Sequence, residues 1–351
     1  MIKVLVVDDS ALLRKLLGGI FAAEPDIETA FARNGLEALE QLHAFHPDVI
    51  TLDVHMPGLD GLACLDRIMV ERPCPVVMVS SLTAEGAEAT LEALRLGAVD
   101  FVAKPTGAVS LRIDALAPTL VKKVRAAAGA RLRPSLRLRD RIRHRTGRPE
   151  ARAEGSRPAI PGAGLVLVGT STGGPPALEA LLAPIPKRFP WPILIAQHMP
   201  ATFTGPLARR LDGLTALDVV EVARPTLLEP GFAYVGRGDA DIVVSRRPAG
   251  LVAVAVPSQA GYPWHPSADR LVRSAMEHVP PSRLVGILMT GMGYDGAPAM
   301  AEMRAQGGRT IAESAETAVV WGMPGELARL DGADHVLPLP AIPERLLAWV
   351  V

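Results

Sequence analysis

Three side chains far apart in the sequence could together perform acyl-transfer chemistry. Ser171 lies in GLVLVGTSTGGPPALEALL, where Gly169-Thr170-Ser171-Thr172-Gly173 joins an apolar strand pattern to a helical one. In a G-x-S-x-G turn the glycines close a tight bend and expose the hydroxyl beside a helix N-terminus, which favours developing negative charge. Pro175 and Pro176 suit the first helical turn. His198 ends the next strand pattern, ILIAQHMP, and so belongs on the same sheet edge as Ser171. Asp295 sits in LVGILMTGMGYDGAPAM, in a glycine-rich turn between another strand and helix, again on that edge. A hydroxyl, an imidazole and a carboxylate so placed can serve as nucleophile, general base and orienting group.

Each residue alone also has a plainer role: a capping serine, a structural histidine, an Asp-Gly turn. A dinucleotide-phosphate cradle is disfavoured, because GTSTGG lacks the G-x-G-x-x-G spacing. The order Ser…His…Asp differs from the Ser…Asp…His order of α/β-hydrolases, which would recruit His335 in place of His198. His335 opens a strand in DGADHVLP and so falls on the opposite edge. His265, in GYPWHPSADR, precedes a helix and can line the site, whereas His278 ends a helix, where a cation is favoured in any case.

A second constellation occupies the first third of the chain. Asp8 and Asp9 follow IKVLVV, Asp53 ends VITLD, Ser80 ends PVVMVS, and Lys104 follows Phe101 in DFVAKP. Ligands of an open α/β sheet bind outside the carboxyl ends of its strands. Three carboxylates meeting there repel one another unless a hard cation lies between them, and Mg²⁺ takes oxygen ligands while keeping water positions open for phosphate. One carboxylate can then attack phosphorus, with a lysine and a hydroxyl pairing with the new phosphoryl oxygens. The plainer alternative is strand-end solubilisers and helix caps, and Asp9-Ser10 does precede a helical run.

The elements that must position both sets follow from hydropathy. The chain has 351 residues, 49% of them apolar and 21% charged, enough for two buried cores and too apolar for a disordered chain. Lys+Arg 37 balances Asp+Glu 37, so no global field steers the protein to nucleic acid or membrane. Aromatics at 4% disfavour base-stacking platforms. No apolar run is long enough for a membrane span, and MIKVLVVDDS reads as a strand rather than a signal peptide. Cys64 and Cys74 are too few for a disulfide framework or zinc site, so a reducing, cytoplasmic location is expected.

Continuous apolar strand runs alternating with helical patterns predict an α/β protein with two doubly wound parallel-sheet domains. The first spans about residues 1–120 and the second 161–351, with antiparallel hairpins inserted between about Thr215 and Val256. Residues 121–160 read as a basic linker, since 122–157 holds about a third of all Lys and Arg and ends in Pro and Gly breakers. A solvated tether is the expected role, with no specific nucleic-acid partner, because no recognition helix accompanies the charge.

Residues 1–120, through VVDDS, LDVHMPGLDG, MVSS and FVAKP, resemble the response-regulator receiver domain. The resemblance implies a flavodoxin-like fold in which Asp53 accepts a phosphoryl group from a histidine kinase. It implies Mg²⁺ held by Asp8, Asp9, Asp53 and the His55 backbone carbonyl, with Ser80 and Phe101 as switch residues and Lys104 as the phosphate-pairing lysine. It also points to a cis Lys104–Pro105 bond.

Residues 162–345, through VGTSTGGP, QHMPATFTGPLARRLD, PSADRLVRSAM, ILMTGMGYDGAPAM and TIAESAETAVVWGMPGEL, resemble the catalytic domain of chemotaxis protein-glutamate methylesterases. That resemblance implies the triad Ser171, His198 and Asp295. It adds an oxyanion hole from the backbone N–H groups of Thr172 and Met292. It implies demethylation of glutamate esters on chemoreceptors and deamidation of receptor glutamines, with no cofactor for the hydrolytic step. Phosphorylation of Asp53 would shift a two-domain equilibrium toward the active form, and a monomer is expected. Tyr294 stands where this family usually has Asn, and Thr170 where Ala or Ser is common. The alternative is a phospho-dependent binding module with a catalytically silent second domain.

Overall fold

A computed structural model describes residues 1–104, 109–132 and 163–350. The chain divides into two compact units, Met1–Arg148 and Pro149–Val351. The Lys104–Pro105 bond and most of the expected linker lie outside the described residues.

The first unit alternates β1 (Ile2–Val7), α1 (Ala11–Ala22), β2 (Ile27–Ala32), α2 (Gly35–Ala44), β3 (Val49–Asp53), α3 (Gly61–Glu71), β4 (Val76–Ser80), α4 (Ala84–Leu96), β5 (Asp100–Ala103) and α5 (Val109–Ala128). Its sheet has the order β2-β1-β3-β4-β5, with every pairing parallel. β3 and β4 are buried at every position, as their unbroken apolar runs require of central strands covered on both faces. Ser10, Asn34, Asp60 and Thr83 cap α1 to α4, each accepting from the amide three residues on. These caps fix where each helix leaves the carboxyl edge of the sheet. The basic segment begins inside α5, which runs on to Ala128.

The second unit holds β6 (Leu165–Thr170), α6 (Gly174–Leu182), β7 (Ile193–Gln197), α7 (Ala201–Leu214), β8 (Asp218–Val222), β9 (Thr226–Leu227), β10 (Phe232–Gly236), β11 (Ala240–Arg247), β12 (Gly250–Pro257), α8 (Ala268–His278), β13 (Leu284–Leu288), α9 (Ala297–Ala305), β14 (Arg309–Glu313), α10 (Met323–Arg329), β15 (His335–Leu337) and α11 (Ile342–Val350). Its main sheet has the order β15-β14-β13-β6-β7-β10-β8 and is parallel throughout. The Thr215–Val256 region departs from the sequence expectation. β8 and β10 join the main sheet as parallel strands, and only β11 and β12 form a hairpin, in a separate antiparallel sheet with β9. The short strands and Gly/Pro turns looked like hairpins. The nearly fully buried β10 instead needs neighbours on both sides, which β7 and β8 supply. No helix among the described residues is long and apolar enough to cross a membrane.

Candidate functional site

β6, β7 and β13 are adjacent in the main sheet, with β6 in the middle. Ser171, His198 and Asp295 lie just beyond their carboxyl ends, so three distant segments meet on one rim. The backbone of Ser171 is pinned: its N–H donates to Thr290 O at 2.9 Å, and its carbonyl accepts from Gly174 N at 2.8 Å and Gln197 Nε2 at 3.0 Å. Gly173 makes the bend into α6 at φ +76°, and a Cβ there would lie 2.7 Å from Val319 Cβ, so only glycine fits. His198 N–H donates to Thr170 O at 3.0 Å, and its carbonyl also takes Gln197 Nε2 at 3.0 Å.

The imidazole Nε2 of His198 lies 2.7 Å from Asp295 Oδ2, and both side chains are buried. Asp295 also accepts from Ser267 Oγ at 2.9 Å, Ala268 N at 2.6 Å and Asp269 N at 3.0 Å, and so sits on the first turn of α8. Burial raises the pKa of Asp295, but the His198 hydrogen bond and charge and the two amides outweigh it and hold the carboxyl below its ordinary range. Asp295 is therefore a carboxylate, able to hold the ring and stabilise an imidazolium.

The other nitrogen, Nδ1, is buried and has no hydrogen-bond partner. Among the described residues the Ser171 hydroxyl has none either. The imidazole–carboxylate pair is thus assembled, while serine and imidazole are not in hydrogen-bond contact. The Trp264 ring lies parallel to His198 (centroids 6.1 Å, 6°) and meets Tyr294 edge-on at 4.9 Å. Gly293, at φ +83°, leaves room for that indole: a Cβ there would lie 2.4 Å from Trp264 Cζ2.

Of the two expected oxyanion donors, Thr172 is buried and its carbonyl takes the Thr290 hydroxyl at 2.9 Å. Met292 is half-buried, and its N–H has no acceptor among the described residues. His335 opens β15 next to the Trp349 ring, away from the carboxyl edge, and takes no part in this cluster. His265 Nδ1 donates at 2.9 Å to Asp241, a fully buried carboxylate that also takes Ser267 N and the Arg270 guanidinium. It braces the start of α8 rather than touching His198.

In the first unit, Asp8 (1% exposed) and Asp53 (3%) are buried beside an exposed Asp9. Carboxylate oxygens of all three lie within 4.8 Å of one another. Lys104 Nζ reaches Asp53 Oδ2 at 2.7 Å and Asp8 Oδ2 at 3.1 Å. Burial, helped by the Asp53 charge, raises the pKa of Asp8 against the pull of Lys104. Burial also opposes the charge on Lys104, but Asp53 and Asp8 prevail and hold it above its usual range. One ammonium among three carboxylates leaves an excess of negative charge in an all-oxygen pocket, which fits a hard divalent cation. His55 is exposed, with its N–H 3.3 Å from Asp53 Oδ1. Ser80 is fully buried and donates to Gly86 O at 3.1 Å, linking the end of β4 to the first turn of α4. The Phe101 ring is buried under Lys123 Nζ, 5.1 Å from its centroid.

With both geometries in hand, comparison with known proteins gives a consistent result. Residues 166–346 match the CheB methylesterase family, and residues 4–115 match the response regulator receiver domain. The chain belongs to the CheB methylesterase family. Across 99% of its length it is 58% identical to a protein-glutamate methylesterase/protein-glutamine glutaminase of Rhodopseudomonas palustris, covering 98% of that protein. It is 50% identical to one from Rhodospirillum rubrum, over 100% of this chain and 96% of that protein. The crystal structure of the Thermotoga maritima CheB methylesterase catalytic domain superposes with a TM-score of 0.51 at 36% identity, over 53% of this chain and 98% of that one. Ser171, His198 and Asp295 fall inside the methylesterase match, and the Asp8–Asp53–Lys104 cluster inside the receiver match.

Several further residues hold the rim that carries Ser171, His198 and Asp295 and carry no local motif. Gln197 bridges the Ser171 and His198 carbonyls, Ser267 binds Asp295, and the fully buried Glu313 accepts from Thr290 N at 2.9 Å. The available signal was a polar or charged residue closing an apolar strand run, as in LIAQ and TIAE.

Proposed function

We propose that the chain is a phosphorylation-controlled serine hydrolase that removes methyl groups from glutamate side chains of chemoreceptors and deamidates receptor glutamines. The observation that carries this reading is the buried 2.7 Å His198–Asp295 pair on the rim that bears Ser171. Ser171 Oγ attacks the side-chain carbonyl carbon while His198 Nδ1, the free ring nitrogen, takes its proton. The serine–imidazole contact belongs to the substrate-bound state, since catalytic hydrogen bonds often tighten only there. Thr172 and Met292 N–H groups receive the oxyanion. As the bond to the leaving group breaks, the imidazolium gives its proton to the methoxide oxygen, releasing methanol, or to the amide nitrogen, releasing ammonia. Water, deprotonated by His198, then attacks the acyl-serine; the imidazolium returns that proton to Ser171 Oγ and a glutamate carboxylate is left. An assembled base and orienting group speak for this chemistry and against a silent binding module.

In the receiver unit Asp53 is the phosphoacceptor, supplied by a histidine kinase. Asp8, Asp9, Asp53 and the His55 carbonyl would hold Mg²⁺, which shields the phosphorus from the pocket's negative charge. Lys104 then turns from two carboxylates to the new phosphoryl oxygens. Ser80, by exchanging Gly86 O for the phosphoryl group, and Phe101 carry the change to the α4 face. With a histidine kinase as donor and a chemoreceptor as substrate, the chain works in the cytoplasm. A fluorophosphonate probe that labels Ser171 in wild type and leaves Ser171→Ala unlabelled supports the reading; equal labelling of both overturns it.

A further inference from the structure

Asp295 and Asp269 cap each other's helices. The Asp295 carboxylate takes the amides of Ala268 and Asp269, the first two residues of α8. The Asp269 carboxylate in turn accepts from Ala299 N at 2.9 Å, in the first turn of α9. Two acidic groups thus sit side by side, each satisfied by the other's helix N-terminus. The arrangement fixes the short segment that carries Asp295, because Gly296 follows it directly. Ser267 N, held by the buried Asp241 at 2.7 Å, anchors the same turn of α8 from the hairpin sheet.

We propose that Asp269 is a positioning residue for hydrolysis: ionised, its cap on α9 holds Asp295 against His198, and protonated, it lets that pair loosen. The inference rests on the hydrolase reading only for its consequence in rate; the coupling of Asp269 to His198 is a property of the fold. The charged groups facing Asp269 are few. Asp295 approaches from the β13–α9 turn, and Arg273 lies one turn along α8, itself paired with Glu302 of α9. Burial is the main influence and pushes Asp269 from 3.8 up to about 6; the Ala299 amide opposes it, Asp295 adds to it, and Arg273 and the Gly296 amide oppose it further. The protonated acid is a weaker acceptor for the Ala299 amide, so acidification through about pH 6 frees the α9 cap.

Stability runs the other way. A carboxyl whose folded value lies above its unfolded one adds stability below about 3.8 that is lost as pH rises through about 6. Loss of His198 positioning on acidification through that range is therefore not unfolding driven by this group.

The test uses the full-length protein in two measurements: the His198 imidazole ¹⁵N signals against pH, and the rate at which a fluorophosphonate labels Ser171. In wild type, the His198 ring signals carry a component that follows Asp269 near pH 6, and Asp269→Asn, which keeps a carbonyl acceptor but cannot ionise, removes that component. Above that pH, labelling falls about threefold in Asp269→Asn and about tenfold in Asp269→Ala, on the scale of weakening and then losing a charge-assisted hydrogen bond. A pH response of the His198 ring signals that is identical in wild type and Asp269→Asn overturns the proposal, as does wild-type labelling in a folded Asp269→Ala. If wild type is never labelled while the Asp269-dependent component is present, the hydrolase reading fails and the coupling holds.

Discussion

Asp8 and Asp295 are both buried carboxylates at the carboxyl edge of a parallel sheet, and the fold treats them oppositely. Asp295 takes an imidazole, a hydroxyl and two amides of a helix N-terminus, and its pKa is held down. Asp8 takes one amide, from Ser10, and shares one lysine with Asp53, and its pKa is raised by burial. Asp295 is fully served by its neighbours, so it stays ionised well into the acid range and can support an imidazolium. The receiver carboxylates are underserved, and that deficit is what a cation and a phosphoryl group can use. Preorganisation suits a group that must act at every turnover. A charge deficit suits a site that must respond to an added ligand.

Removing the proposed nucleophile should produce the largest effect. Ser171→Ala is expected to lower ester hydrolysis by at least about 10⁴-fold, the scale seen when a serine triad loses its serine. Steady-state methanol release checks this. Asp295→Asn probes the preorganised carboxylate itself: kcat is expected to fall on the order of 10³- to 10⁴-fold as ring tautomer and charge support are lost.

The regulatory side is sharpened by Asp53→Ala, which is expected to remove the whole increase in rate that a small phosphodonor gives wild type. Smaller still is the effect of Asp8→Asn on stability without divalent cation. Asp8's folded pKa lies above the unfolded one, so its ionisation destabilises the fold as pH rises through the folded value. A neutral isostere should therefore raise the unfolding midpoint of the receiver, by a few degrees if it relieves about 1 kcal/mol. Asp295 has the opposite sign: its contribution is present above the ordinary carboxyl range and is lost as pH falls through its lowered value. Calorimetry at neutral and acidic pH separates the two. A destabilised Asp8→Asn would erase the contrast between the sites.

The strands and the residues at their carboxyl ends were legible because burial on both faces writes itself as unbroken apolar runs, and chemistry sits where those runs stop. Asp53, Ser80, Lys104, Ser171 and His198 each stand where such a run stops. The placement of β8 and β10 was less legible, because a short strand flanked by Gly and Pro looks the same in a hairpin and in a parallel sheet; only its neighbours decide. The support around Asp295 was harder still. Ser267 and Asp269 lie in a helix start that reads as an ordinary cap, and nothing local reveals that the acceptor they serve comes from another turn of the chain. The missing Ser171–His198 contact also lay beyond sequence, since strand order places the residues on one rim but does not set side-chain rotamers.

The most direct test of the central claim is methanol release from methylated chemoreceptor by wild type, Ser171→Ala and Asp53→Ala, with and without a phosphodonor and Mg²⁺. The account predicts release by wild type that rises with the phosphodonor, no release by Ser171→Ala, and no rise in Asp53→Ala. Undiminished release by Ser171→Ala would contradict it.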